Sequence, residues 1–283
     1  MTEFTVRHKR FNPTDPRLGR HVRHDSRSLA YAYPEVDDPT TLKSIRHERY
    51  IPTLNQGNLG SCTGNAATGA LGSGVFWDAG KTVLSATDEE TDEQYAVSVY
   101  SDATKIDSAD GSYPPTDTGS DGISVAKILQ SRGLISGYQH AFSLNATLNA
   151  LAKQPVIIGV AWFSDMFNPD EDGRIHPTGT VEGGHEVVLD ELDVENQRVW
   201  IHNSWGDEWG VEGRCYLTWD DLDYLLQNQG DCTIFTPVHE PAPTPAPGPV
   251  SPVPVDPDDN KSVFEEILQE LEDLLEKVKS VLS

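Results

Sequence analysis

A single cysteine stands between a glycine-rich loop and a run of small residues. The loop covers residues 56–60, and Cys62 leads into a segment whose composition suits a helix. The first turn of a helix presents unpaired N–H groups and a partial positive charge, and both favour a thiolate over a thiol. The sequence therefore indicates that Cys62 is a nucleophile.

A histidine and an asparagine downstream could supply the base that a nucleophilic thiol needs and the group that orients this base. His185 comes at the start of one predicted strand and Asn203 at the end of the next. Their midpoint, position 194, lies within the turn-like residues 193–197. A hairpin centred there would place the two side chains opposite each other on antiparallel strands. The amide oxygen of Asn203 could then bind one ring nitrogen and leave the other for the thiol.

Two tryptophans follow Asn203 in a glycine-rich loop, Trp205 and Trp209. They could shield a hydrogen bond between His185 and Asn203 from water, or they could simply fill the edge of the core.

Along the chain, the predicted elements that must position these side chains are helices in the first half and strands in the second. Helical composition or periodicity is found over residues 66–77, 88–101, 123–132 and 145–153. Strands are predicted over residues 156–162, 187–192, 198–203, 214–219 and 232–236. This order predicts an α+β fold. The many small residues of the first helix predict that it is buried on several sides.

The composition divides the chain into four segments. They are a basic N-terminal arm (1–45), a globular domain (46–238), a proline-rich linker (239–261) and an amphipathic helix (262–283). The arm could pack along the domain through its apolar residues 29–34 or could be a disordered tail. The linker contains eight of the chain's 19 prolines, which predicts a semi-rigid polyproline spacer.

The amphipathic helix carries an apolar heptad stripe. Its two principal positions are occupied by Phe264, Leu271 and Val278 and by Ile267, Leu274 and Val281. Such a pattern is typical of a short coiled coil. Self-association into a homo-oligomer is the favoured prediction, with packing on the domain or binding of a foreign helix as alternatives.

Charge and composition exclude several other classes of protein. The net charge is −24, and the acidic body of the chain disfavours nucleic acid as a partner. No apolar run is long enough to span a membrane, and the N-terminus has no apolar signal segment, so we expect a cytoplasmic protein or one associated with a virion. The three cysteines give no disulfide framework. Of these, Cys215 and Cys232 are expected to be buried free thiols, with a mutual disulfide or metal ligation as alternatives; no cofactor or metal is predicted.

Taken together, the motifs resemble the papain-like cysteine peptidases, and in particular their bacterial and bacteriophage branch. The resemblance covers roughly residues 46–238. It rests on the glycine-histidine pair at 184–185 and on two motifs, Gln56-Gly57-x-x-Gly60-Ser61-Cys62 and Asn203-Ser204-Trp205-Gly206-x-x-Trp209-Gly210-x-x-Gly213.

This resemblance implies a two-lobed fold, with a helical lobe and an antiparallel β lobe, and a role for each site residue. Cys62 would be the nucleophile, His185 the general base and then acid, and Asn203 the orienting group. The oxyanion would be bound by the side chain of Gln56 and the backbone N–H of Cys62. The residues implied in substrate binding are Gly60, Ser61, Gly122 and Gly184.

Several positions depart from the family pattern. The family usually has a disulfide-bonded cysteine at the position of Leu59 and an aromatic residue at that of Thr63. Glu186 replaces a small residue, and its carboxylate could raise the pKa of His185 or shape a subsite. The arm is too short for the family's long propeptide, and the sequence leaves open whether residues 1–45 inhibit the cleft.

The sequence thus predicts hydrolysis of peptide or isopeptide bonds in peptide or protein substrates. The alternative is a non-catalytic binding module with the same fold, oligomerised by its C-terminal helix.

Overall fold

The centre of the molecule is one antiparallel sheet. The computed structural model describes residues 14–22, 25–34 and 42–240. Its strands are β1 Ile45–Arg46, β2 Gly137–Ala141, β3 Val156–Phe163, β4 Val181–Asp193, β5 Arg198–His202, β6 Arg214–Thr218 and β7 Asp231–Thr236. Six of them follow the order β2-β7-β3-β4-β5-β6, and the short β1 pairs with β4. This arrangement makes β3 and β4 the central strands.

Six α-helices accompany the sheet in the described part of the chain. They are α1 Cys62–Leu71, α2 Trp77–Gly80, α3 Glu89–Ala103, α4 Gly122–Ser131, α5 Leu144–Leu151 and α6 Trp219–Gln227. Short 3-10 helices cover Ser26–Tyr31, Gly74–Phe76 and Ser164–Phe167. The fold is therefore α+β, as the sequence predicts.

The apolar residues form two cores, one on each face of the sheet. Ile158 in β3 belongs to the core shared with α5 and α6, whereas its neighbour Ile157 belongs to the core built on α1, α3 and α4. Successive side chains of a strand point to opposite faces, so a strand covered on both faces must be apolar throughout. This explains the near-continuous apolar sequence of β3. The two cores correspond to a helical lobe and a β lobe.

Helix α1 is buried along its whole length. All ten of its residues are buried, and a side chain at Gly64 would collide with the backbone of Ala96 and with Tyr100 in α3. The prediction of a helix buried on several sides is confirmed. Its predicted end at Trp77 is wrong, because the chain leaves the helix at Gly72 and Gly74 adopts a left-handed conformation with φ of 52°.

The β4–β5 hairpin differs from the predicted one in its register. Asp193 pairs with Arg198 across a four-residue loop, and the pairing shifts at a bulge between Leu189 and Glu191. The turn is therefore centred after position 195 instead of at 194. Continuing the register from the Val188–His202 pair places Asn203 beside Val187, so Asn203 is diagonal to His185 and not directly opposite it.

Strand β2 was not predicted. It contains His140, which is fully buried and pairs with Thr233 in β7. The predicted strand 214–219 ends at Thr218, whose side chain caps α6 by accepting a hydrogen bond from the N–H of Asp221. Cys215 and Cys232 are buried free thiols, as predicted.

Within the described ranges, no helix is long and apolar enough to cross a membrane. The described residues all belong to one compact unit, residues 1–245. The heptad helix 262–283 and nearly all of the proline-rich linker lie outside the described residues.

Candidate active site

Cys62 is the first residue of α1 and is completely buried. The backbone N–H groups of Glu186, Gly19 and Thr63 lie close enough to its sulfur to favour the thiolate. Burial outweighs them and raises the thiol pKa to about 12, with the nearby Glu186 carboxylate acting in the same direction. The thiol is therefore protonated at neutral pH in this structure.

His185, in β4, forms a 2.8 Å hydrogen bond between its Nε2 and Oδ1 of Asn203. Its other ring nitrogen, Nδ1, is buried and has no hydrogen-bond partner. Burial lowers the His185 pKa to about 4, although the hydrogen bond to Asn203 acts to raise it. The imidazole is therefore neutral, and one of its nitrogens is held by Asn203 while the other is available.

Aromatic rings enclose the imidazole on two sides. Trp205 stacks on His185 with ring centroids 4.8 Å apart, and Trp162 packs edge-on at 4.8 Å. Trp209 in turn packs edge-on against Trp205. Trp205 thus covers the ring that holds the hydrogen bond to Asn203, which is the shielding arrangement considered from the sequence.

Gln56 is fixed by the residue that follows Asn203. Ser204 donates its hydroxyl to Oε1 of Gln56 at 2.7 Å, and the backbone N–H of Gln56 donates to the carbonyl of Ser204 at 3.0 Å. This orientation directs Nε2 of Gln56 toward the carbonyls of Leu59 and Arg17, at 2.7 and 3.0 Å. The loop before α1 and the segment after β5 are therefore linked directly.

No protein-family model matches the chain, and no curated protein matches its sequence. Solved structures, in contrast, match the fold of the chain. Xylellain, a cysteine protease from Xylella fastidiosa, aligns with 82% of this chain and 99% of its own at a TM-score of 0.56 and 18% identity. The chain has a papain-like fold.

Two further structures align less closely. The recombinant stem bromelain precursor gives a TM-score of 0.47 and 17% identity over 76% of this chain and 77% of its own. The bromelain protease from Ananas comosus, in complex with the E64 inhibitor, gives 0.47 and 15% over 68% of this chain and 99% of its own.

In this papain-like fold, hydrogen bonds hold the cysteine loop around Leu59, where the sequence departs from the family pattern. Gln56 closes a turn by accepting from the N–H of Leu59 at 3.2 Å. The N–H of Gly60 donates to the carboxylate of Asp117 at 2.8 Å, and the hydroxyl of Tyr100 donates to the same carboxylate. The loop is thereby tied to α3 and to the segment before α4 without a disulfide.

Part of the N-terminal arm lies against this site. Residues 14–21, which we call the cleft segment, run between the loop before α1 and the start of β4. The N–H of Arg20 donates to the carbonyl of Gly184 at 3.0 Å, the N–H of Ser120 donates to the carbonyl of Gly19 at 2.8 Å, and the N–H of His21 donates to the carbonyl of Ser120 at 2.9 Å. The guanidinium of Arg17 lies over the Trp205 ring, 4.2 Å from its centroid. The sequence alone had left open whether the arm reaches the candidate site.

The predicted substrate-binding residues differ in their relation to the cleft segment. Gly184 bonds it directly, and the carbonyl of Gly60 contacts Gly19. Ser61 is buried, and its hydroxyl accepts a hydrogen bond from Asn65 within α1. Gly122 begins α4, and a side chain there would point at Thr233 and the Glu186 carboxylate instead of the segment.

Two residues near the site were given no role from the sequence. Ser204 orients Gln56, and Asp117 anchors the cysteine loop. For Ser204, the adjacency to Asn203 was a usable signal. Asp117 acts through a contact between distant parts of the chain.

The structure also distinguishes the two roles considered for Glu186. Its carboxylate lies 3.9 Å from Nε of Arg20. Adjacent residues of β4 face opposite sides of the strand, which separates the imidazole from this carboxylate. Glu186 therefore belongs to a pocket beneath the cleft segment.

Proposed function

We propose that this protein is a cysteine peptidase that hydrolyses peptide bonds through an acyl-enzyme on Cys62. The observation that carries the proposal is the 2.8 Å hydrogen bond between His185 and Asn203, which leaves Nδ1 as the unpartnered ring nitrogen. The position of Cys62 at the first residue of α1, with its sulfur near the N–H of Glu186, supports the same assignment.

In the proposed reaction, Nδ1 of His185 accepts the thiol proton and the sulfur attacks the carbonyl carbon of the substrate. Nε2 of Gln56 and the backbone N–H of Cys62 stabilise the oxyanion. The imidazolium then donates its proton to the leaving amine as the C–N bond breaks. Water, deprotonated by His185, attacks the thioester, and the acid product leaves as the thiol is re-formed.

The cleft segment keeps the proposed enzyme latent. With residues 14–21 in place, the thiol pKa is about 12 and that of His185 about 4, so neither group is charged at neutral pH. Nε2 of Gln56, the proposed oxyanion donor, donates to the carbonyl of Arg17. We infer that hydrolysis requires displacement of this segment, which would rehydrate both groups and free the amide.

Two competing functions share this fold. An isopeptidase would use the same four side chains on a different amide bond. A non-catalytic binding module would retain the fold without a reactive thiol, and its assembly would depend on residues 262–283, for which the heptad pattern is the support.

A paired digestion and labelling experiment tests the proposal. We expect the full-length Gly19→Ala chain, in which the added methyl group collides with the Gly60 carbonyl and displaces the cleft segment, to cleave members of a peptide library and to react with a thiol-directed epoxide. Adding Cys62→Ala to this chain should abolish both while the circular-dichroism spectrum is kept. Cys215→Ala, which removes another buried thiol, is the matched control and should retain both properties. A non-catalytic module is indicated if neither wild type nor a variant with a displaced cleft segment cleaves or labels. Cleavage restricted to side-chain amide linkages indicates the isopeptidase.

A further inference from the structure

The side chain of Arg20 leaves the cleft segment and enters the interior of the protein. Only 3% of the residue is exposed. Its guanidinium donates to the carboxylate of Asp231 at 2.7 Å, to the carbonyl of Gln229 at 3.1 Å and to the carbonyl of Val22 at 2.8 Å. The pocket provides two oxygen acceptors for Nη2, whereas the acceptor for Nη1 is the carbonyl of Val22 in the arm itself.

Two acidic side chains line the pocket around Arg20; burial raises the pKa of Glu186 well above its usual value, so the charge opposite the guanidinium is that of Asp231. Glu186 is completely buried, both of its carboxylate oxygens lack a hydrogen-bond partner, and Oε2 lies 3.9 Å from Nε of Arg20. Asp231 is 3% exposed, and its second oxygen lies 3.6 Å from His140. Buried carboxylates are unfavourable unless a cation or hydrogen-bond donors accompany them. The lining therefore favours a cationic occupant.

Two glycines make room for a long side chain. A side chain at Gly159 would collide with Nε of Arg20 and would lie 2.6 Å from the carboxylate of Glu186. A side chain at Gly184 would collide with the Arg20 carbonyl at the mouth of the pocket. The pocket is thus shaped by the absence of side chains in the two central strands of the sheet.

The residue of the cleft segment that enters the pocket, Arg20, directly follows the residue that contacts the cysteine loop, Gly19. Gly19 contacts the loop before Cys62, and the next residue, Arg20, bonds Gly184, which precedes His185 in β4. A peptide that replaced the cleft segment would meet the same backbone groups. One of its side chains, close to the scissile bond, would enter the space that Arg20 now fills.

We propose that the pocket lined by Glu186 and Asp231 is a specificity site that selects substrates with an arginine side chain next to the scissile region. The inference rests on the proposed function, because it names the substrate that this peptidase would cleave. Arg20 then occupies the position of a substrate side chain. Lysine, which offers one ammonium to the same carboxylates but no planar fork, should be accepted less well.

A binding experiment tests the pocket independently of hydrolysis. The protein is the full-length Cys62→Ala, Gly19→Ala, Arg20→Ala chain, in which the cleft segment is displaced, the pocket is vacated and the thiol is removed. The probes are fluorescent peptides with the sequence of residues 14–22 and variants with Arg20→Leu or Arg20→Lys. We expect the native peptide to bind at least about tenfold more tightly than the leucine variant, with lysine between them. Equal binding of native and leucine peptides, or binding of neither, overturns the proposal.

Changes in the pocket sharpen the test. Asp231→Asn, and separately Glu186→Gln, should reduce the preference for arginine over leucine to below about threefold. Asp170→Asn, an exposed acid with the same change in charge, is the matched control and should leave the preference intact. Thermal melts identify any variant that fails to fold, and the other variant then decides. A preference that survives in both folded pocket variants contradicts the assignment.

Cleavage by the Gly19→Ala full-length chain, in which the cleft segment is displaced, separates the two proposals. The substrates are peptides that carry Arg, Lys, Leu or Glu at each position in turn. Cleavage focused beside arginine supports both the peptidase and the specificity site. Hydrolysis without a preference for arginine leaves the peptidase and overturns the specificity site. Arginine-selective binding without any hydrolysis leaves the pocket as a recognition site but overturns the substrate assignment together with the proposed function.

Discussion

Gly19 of the arm and Gly60 of the cysteine loop meet through their backbones. A side chain at position 19 would collide with the carbonyl oxygen of Gly60, two residues before Cys62. The contact holds the cleft segment against the loop that carries the candidate nucleophile. It is compatible only with the residue that has no Cβ.

The first prediction follows from this contact. Gly19→Ala should displace the cleft segment, because the methyl group and the Gly60 carbonyl cannot share the same space. We expect the rate of Cys62 alkylation at neutral pH to rise at least about tenfold and the apparent thiol pKa to fall from about 12. Leu29→Ala, at an exposed residue of the same arm, is the control and should behave as wild type. Unchanged alkylation in Gly19→Ala would show that the segment does not protect the thiol.

The second prediction concerns Asn203. Its hydrogen bond raises the His185 pKa against the effect of burial, so Asn203→Ala should move this pKa below about 4, and Asn203→Asp should move it upward because a carboxylate favours the imidazolium. NMR titration of the His185 ring checks both directions. In the Gly19→Ala background, Asn203→Ala should reduce kcat/KM by about 10²-fold. Normal activity in that variant would exclude an orienting role for Asn203.

The contact between His185 and Asn203 could be predicted from sequence because the two residues border a hairpin, so residue type and spacing suffice to bring them near each other. The exact pairing of His185 and Asn203 across the strands could not be predicted, because the bulge between Leu189 and Glu191 shifts the register and no distinct residue pattern marks it.

Contacts between distant segments escaped the sequence altogether. The position of Arg20 depends on Asp231, 211 residues further along the chain. Likewise β2 has the mixed sequence Gly137–Ala141, and its pairing with β7 is what makes it a strand. Propensity and periodicity report on neighbours along the chain, and neither contains this information.

The third prediction concerns the oxyanion. Gln56→Ala removes the side-chain donor and should reduce kcat by about 10²- to 10³-fold in the Gly19→Ala background. Gln56→Glu is the sharper variant, because its carboxylate can still accept the hydroxyl of Ser204 but has no N–H to donate. We expect Gln56→Glu to be as inactive as Gln56→Ala in a steady-state peptide assay. Full activity in Gln56→Glu would exclude the amide as the donor.

The fourth prediction concerns acid stability. His202 is buried, with its Nδ1 3.3 Å from the carboxylate of Asp190, and burial lowers its pKa to about 4 although Asp190 acts to raise it; the unfolded value is about 6.5. The unfolded chain therefore takes up a proton first, and the folded state loses stability as the pH falls from about 6.5 to about 4. One such group changes the free energy of unfolding by up to about 1.4 kcal/mol per pH unit. The free energy of unfolding, measured with denaturant across this pH range, should depend less steeply on pH in His202→Gln than in wild type. An unchanged slope would contradict the assignment.

The fifth prediction concerns assembly through residues 262–283. We propose that the heptad stripe joins copies of the chain, because a short amphipathic helix after a proline-rich linker gains most by burying its apolar face against another helix. Leu271→Glu places a charge within the stripe and should lower the mass measured by sedimentation equilibrium to that of a monomer. Ser280→Glu adds the same charge outside the stripe and should leave the assembly intact. If Leu271→Glu keeps the wild-type mass, the oligomer is held elsewhere; if the wild type is already monomeric, the helix packs on its own domain or awaits a foreign partner.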